Sequence, residues 1–133
     1  MPQPPAVWYS YAVVRVVPRV EREEFVNVGV ILFSAERRFL GCRLRFDRAR
    51  LAALAPGLDT TALECHLDAM RAVCEGDPSG GPIAALSASE RFHWMVAPRS
   101  ASIQTSPVHS GLTEDPAAAL ERLFEAQVAP PLS

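Results

Sequence analysis

The sequence predicts an α+β domain: an antiparallel sheet of about five strands with two or three helices packed on one face. Three features lead there. Residues 7–46 hold three runs dense in β-branched, Leu and aromatic side chains, joined by short polar links. Residues 47–76 and 115–128 carry helix caps and apolar positions at helical spacing. Gly and Pro at residues 56–57 and 77–82 punctuate the chain, and no internal repeat is present. At 133 residues, 49% hydrophobic and 21% charged, the composition excludes a disordered tail, a fibrous repeat and a multidomain enzyme. A domain of this size buries roughly two-thirds of its unfolded surface, enough for a core without metal or disulfide staples. The expected boundaries are a disordered N-terminal tail over residues 1–7, one α+β domain over residues 8–129 and a frayed C-terminus over residues 130–133.

Taken in order, residues 7–17 form a first strand, stopped by Pro18, which cannot donate to a central ladder. A charged link leads to a second strand at residues 25–33, and residues 34–38 connect it to a third at residues 39–46. Short links make the three an antiparallel meander. In the third, Leu40, Cys42, Leu44 and Phe46 alternate with Gly41, Arg43 and Arg45, so one face is wet. Gly29, inside a strand, marks a bulge or a close backbone approach.

Asp47 caps a short helix that Pro56-Gly57 ends. Thr61 and Glu64 fit a capping box for the main helix, and Gly76 stands where its C-terminal cap belongs. Leu63, Leu67, Met70 and Cys74 form its apolar stripe, expected to lie on the sheet. Residues 83–89 could form a short helix, and residues 91–97 and 100–106 read as two further strands in a hairpin. Asp115 caps the last helix with Pro116 at its first position, and Leu120, Leu123, Phe124, Gln127 and Val128 make one face.

Every basic residue is arginine, which removes lysine chemistry, and the net charge of −2 hides a division. Residues 1–58 hold nine arginines and five carboxylates, a net of +4, whereas residues 59–133 hold four arginines and ten carboxylates, a net of −6. Nucleic-acid binders carry a basic face and a high pI, so a pI of about 5.9 argues against a nucleic-acid partner. No apolar run approaches the ~20 residues of a membrane span, and residues 1–6 lack the charged and apolar regions of a signal peptide. A cytoplasmic protein without a membrane partner is expected.

Three cysteines without CxxC spacing support neither a disulfide framework nor a zinc site. Cys65 and Cys74 fall on opposite faces of a helix, and all three are expected to be inert core thiols. His66 and His93 are lone histidines without a helical HxxxH partner, expected to be semi-buried and structural. Neither metal nor cofactor is implied.

Two polar groups could bind a ligand or a partner. Strand pairing would bring Arg15 and Asn27 beside Arg43 and Arg45, a set suited to a carboxylate, a phosphate or an acidic loop. The same arginines could equally pair with carboxylates of the second half. The other group is the polar run Arg99, Ser100, Gln104, Ser106 and His109. Ser106 and His109 invite a nucleophile and base assignment, but no orienting acid, oxyanion hole or GxSxG elbow accompanies them. No catalytic residue is assigned, and the hydroxyls and imidazole could instead satisfy backbone groups.

Tyr11 to Pro18, Glu24 to Leu32, and Ala97-Pro98-Arg99-Ser100 with Gln104, Ser106, His109, Gly111 and Asp115-Pro116 resemble the bacterial domain-of-unknown-function family 3037 over about residues 8–128. The resemblance implies a small stand-alone protein and no activity. Some members are encoded beside a HipA-like kinase, which the resemblance implies as a partner. The expected function is a noncatalytic interaction or regulatory module that docks on such a kinase or on itself through a sheet edge. The alternative is a small enzyme or ligand-binding protein using the polar motif at residues 99–109.

Overall fold

Hydrogen bonding along the first strand organises the chain. The computed structural model describes residues 5–18, 24–98 and 102–128. β1 (Val7–Val16) pairs antiparallel with β2 (Val26–Ser34), which pairs with β3 (Phe39–Leu44), giving the expected meander. Two short strands, β4 (Ile103–Thr105) and β5 (His109–Thr113), lie end to end along the opposite side of β1. The helices are α1 (Arg48–Leu54), α2 (Thr60–Glu75), α3 (Ala88–Met95) and α4 (Pro116–Gln127), with 3₁₀ turns at Pro78–Gly80 and Pro82–Ala85. The sheet and helices make the α+β architecture expected from the sequence.

A bulge in β2 divides the core. Val14 faces Gly29 while Arg15 faces Asn27, so Val28 is an extra residue in the ladder. Val26 and Val28 therefore face the same side as Ile31 beyond the bulge, although the parity has changed. On that side α1, α2 and α3 bury Leu51, Leu63, Leu67, Met70, Phe92 and Met95 against Val14, Val16 and Ile31. Val30 and Leu32 point to the opposite side, where Ala119, Leu120, Phe124 and Val128 of α4 cover them. Three helices thus share one face, and a fourth closes the other.

Local chemistry accounts for the helix ends. Asp47 accepts from the Arg50 amide, Asp115 from the Ala118 amide, and Gly76 adopts φ 72° at the end of α2. The expected capping box at Thr61 is corrected: Asp59 caps α2 by accepting from the Ala62 amide. Glu64 instead pairs with Arg48.

The expected strand at residues 91–97 is also corrected, because that stretch lies in α3 and its C-terminal turn. Ser87 Oγ accepts from the Glu90 amide at 3.2 Å and donates to the Glu90 carboxylate. Phe92 and Met95, three apart, both face the core, a helical spacing. Of the strand expected at residues 100–106, Ile103–Thr105 is present, and it pairs with β1 in place of a hairpin partner.

Gly29 is required by packing at the bulge. A Cβ there would lie 2.3 Å from Leu44 Cδ2 and 2.7 Å from the Arg43 carbonyl oxygen, and the latter is backbone that cannot rotate away. Gly29→Ala is expected to cost about 1–3 kcal/mol through overpacking, read as a lower midpoint in urea unfolding with an unchanged slope.

Candidate functional site

The structure brings most of the polar candidates to the α4 side of the sheet. Arg15 stands directly between Asn27 on β2 and Gln104 on β4. Arg45 follows β3 and donates its amide to the Val28 carbonyl at 2.7 Å, which extends this row toward the opposite edge. Arg43 pairs with Val30, whose side chain packs under α4, so alternation places Arg43 and Arg45 on that face as well. His109 faces Tyr11 on the same side, with ring centroids 5.3 Å apart. Arg99 and Ser100 lie outside the described residues.

Several of these groups are engaged inside the molecule. Arg43 donates through Nε to the Glu121 carboxylate at 3.0 Å and stacks over Phe124 at 4.9 Å, tying β3 to α4. Both partners of that ion pair are about half exposed, 49% and 53%, so it is worth at most about 1 kcal/mol. Asn27 Nδ2 donates to the Gln127 carbonyl at 2.9 Å, and Arg50 donates to the Val128 carbonyl at 3.3 Å. Together they satisfy carbonyls at the end of α4 that have no partner within the helix. Arg15 lies over the Phe25 ring at 4.2 Å. Two atoms of the row remain buried without a partner among the described residues, Arg15 Nε and Asn27 Oδ1.

Ser106 has a defined structural task. Pro107 breaks the strand between β4 and β5 beside the centre of β1. Ser106 N donates to the Val13 carbonyl at 2.8 Å, and Ser106 Oγ accepts from the Val13 amide at 2.9 Å. The hydroxyl then donates to the Pro107 carbonyl at 2.9 Å. The side chain replaces the acceptor that an unbroken strand would offer, and its proton is committed to backbone. His109 packs on Tyr11 and is exposed, so the pair lacks the hydrogen bond that a nucleophile and base require.

At the far end of β1 the surface is apolar. Trp8 and Leu112 are direct cross-strand partners, 61% and 55% exposed. Val108, next to the break, is also exposed. On the α4 side Tyr9 lies across Gly111, where a Cβ would come within 2.4 Å of the phenol oxygen, so a side chain there would displace the Tyr9 ring. No strand among the described residues pairs with the outer edge of β5. The amino-acid pattern carried this patch only weakly, because the β5 stretch His-Ser-Gly-Leu-Thr has little strand propensity and is defined by β1.

Other candidates are placed as follows. Cys74 is buried, Cys42 is partly buried and Cys65 is exposed on α2, so the expectation of three core thiols is corrected. Facing solvent costs Cys65 nothing on the outer side of an amphipathic helix. His66 and His93 are exposed rather than semi-buried, each on the solvent side of a helix, and His93 Nδ1 lies 2.7 Å from the Ser89 carbonyl. Among the described residues no three His, Cys, Asp or Glu side chains converge as a metal site, and no helix is long and apolar enough to cross a membrane. An open cleft of about 380 Å³ lies between Pro18, Glu24 and the Leu54 to Leu58 turn, and no residue of the polar row lines it. At Asp77 the amide and hydroxyl of Ser79 hold the exposed carboxyl below its usual range.

A bulged five-stranded antiparallel sheet with three helices on one face and one on the other defines the class as α+β, with a polar row and an open strand edge as its distinctive surfaces. The chain belongs to the family described as protein of unknown function, DUF3037, whose model matches residues 11–128. No curated protein and no solved structure matches the chain.

Ser106→Ala is expected to leave the buried Val13 amide unsatisfied and to cost about 1–3 kcal/mol. Chemical denaturation gives the loss, and faster hydrogen exchange at Val13 locates it. An unchanged midpoint would contradict the role assigned to the hydroxyl.

Proposed function

We propose that this chain is a noncatalytic interaction module that docks on a protein partner along β5. The observation that carries this reading is the exposed Trp8–Leu112 pair beside a strand edge with no partner among the described residues. Edge strands of proteins that remain monomeric are commonly blunted by charge, proline or a covering element. His109–Thr113 contains no arginine, carboxylate or proline. A partner strand added here would gain main-chain hydrogen bonds, while Trp8 and Leu112 supply apolar area beside it. The partners proposed are a second copy of the chain or the HipA-like kinase that the family resemblance implies. The commitment of Ser106 Oγ to backbone supports binding over acyl-transfer chemistry.

A second reading is favoured by one observation. The orphaned Arg15 Nε and Asn27 Oδ1 stand in the row with Gln104 and Arg45, which suits a small ligand that both accepts and donates hydrogen bonds. In this reading Gln104 is the member of the 99–109 motif that contributes.

Light scattering of the chain alone, and of its mixture with the HipA-like kinase from the same genome, tests the docking reading. A dimer or a kinase complex is expected at micromolar concentrations. Leu112→Lys should abolish it with little effect on the melting temperature, since Leu112 is exposed. A monomer throughout, with no kinase complex, would overturn the reading, as would a complex that survives Leu112→Lys unchanged.

A further inference from the structure

Cys42 lies on β3 opposite Ile31, on the face of the sheet that α2 covers. Cys74 occupies the last turn of α2 and is buried in the core that Cys42 packs against. Cys42 shares a groove with Leu67 and Arg71 of α2, and Cys74 lies one turn on from Arg71 in the cluster against which Cys42 packs, so elements far apart in sequence bring the two thiols to one place. Their surroundings differ in a useful way. Cys42 lines an open groove of about 310 Å³ between β3 and α2, together with Leu67 and Arg71, whereas Cys74 is behind it in the core. Cys42 is the more accessible of the two, and Cys74 is buried.

We propose that Cys42 and Cys74 form a reversible redox pair in which a peroxide oxidises Cys42 and Cys74 closes on it to a disulfide. In the first step the Cys42 thiolate attacks one peroxide oxygen; the S–O bond forms, the O–O bond breaks, and the departing hydroxide takes a proton and leaves as water. In the second step the Cys74 sulfur attacks the Cys42 sulfenic acid; the S–S bond forms, the S–O bond breaks, and the Cys74 proton leaves with the oxygen as a second water. Two thiols are oxidised, one peroxide is reduced to two waters, and a dithiol reductant reverses the change.

The order of events follows from the contact. The Cys74 S–H holds the Cys42 thiol below its ordinary range against the opposing effects of burial and of the Glu75 carboxylate, with Arg71 a smaller aid. The same contact and burial push the Cys74 thiol far above its ordinary range, so Cys42 is the thiolate that forms first. Cys65, exposed on the other face of α2, is not required. The bond would tie β3 to the end of α2, which adds a constraint independent of docking at β5.

The test uses the full chain carrying Cys65→Ser, treated with hydrogen peroxide and analysed by intact mass and thiol alkylation. The expected product has lost two hydrogens and both alkylatable thiols, regains them with dithiothreitol, and melts at higher temperature than the reduced chain. Further replacement of Cys74 by Ala should leave a Cys42 sulfenic acid that dimedone traps, and the parent should not accumulate it. Both thiols remaining alkylatable would overturn the proposal, as would Cys42 oxidised without closure while Cys74 is present, or disulfide-linked dimers as the product.

Discussion

The main-chain ladder on both sides of β1 is the constraint on which the structure depends. One side holds β2 and, through it, β3; the other holds β4 and β5, which return after a long helical excursion. That second side contains the break at Pro107, and an unmet amide in the middle of a buried strand would cost more than a typical hydrogen bond contributes. Ser106 resolves it by offering its hydroxyl to the Val13 amide while keeping the adjacent backbone bond. The ladder therefore continues past a proline, and β5 is delivered to the end of β1 with no strand of the described residues on its outer edge.

Arginine chemistry ties the periphery to this frame. In a chain without lysine, the planar fork of guanidinium donors serves backbone oxygens as well as carboxylates. Arg91 donates to the carbonyls of Leu86, Val73 and Cys74, closing the end of α2 onto the turn before α3. Arg37 joins the carbonyls of Glu114 and Pro5, holding the start of β1 near the entry to α4. Arg43 to Glu121 and Arg48 to Glu64 connect the basic half to the acidic half. The charge division is thus met partly by internal pairing, while Arg15 and Arg45 stand in the polar row.

The meander was legible because its strands carry strong alternation and dense β-branched residues, and their register follows from which face is buried. Asp47, Gly76, Asp115 and Pro116 were legible because caps are local chemistry. Residues 91–97 resemble a strand because Phe, Trp and Val favour strands, while Ser87 and Glu90, a helix-start signature, stand just upstream. β5 was invisible since tertiary pairing with β1 overrides its weak propensity. Of the candidate site, the shared face of Arg15, Arg43 and Arg45 follows from strand parity, whereas Asn27 reaches that face only because the bulge at Val28 shifts the parity of β2. The engagement of Ser106 and the meeting of Cys42 with Cys74 depend on contacts across 93 and 32 positions, respectively, and spacing carries no signal for them.

Both edges of the sheet, β3 on one side and β4 with β5 on the other, lack a partner strand among the described residues, and such edges are commonly managed by shortness, charge, proline or a covering element. β5 carries no arginine, carboxylate or proline and is bordered by exposed Trp8 and Leu112, and the proposed docking rests on that composition. Amide hydrogen exchange, compared between dilute chain and chain at a concentration or partner ratio where a complex forms, tests this most directly. The account predicts that new protection appears in His109–Thr113 and extends to its β1 neighbours around Trp8, with β3 unchanged. Protection that arises on β3 or the exposed helix faces while β5 stays unchanged would contradict it.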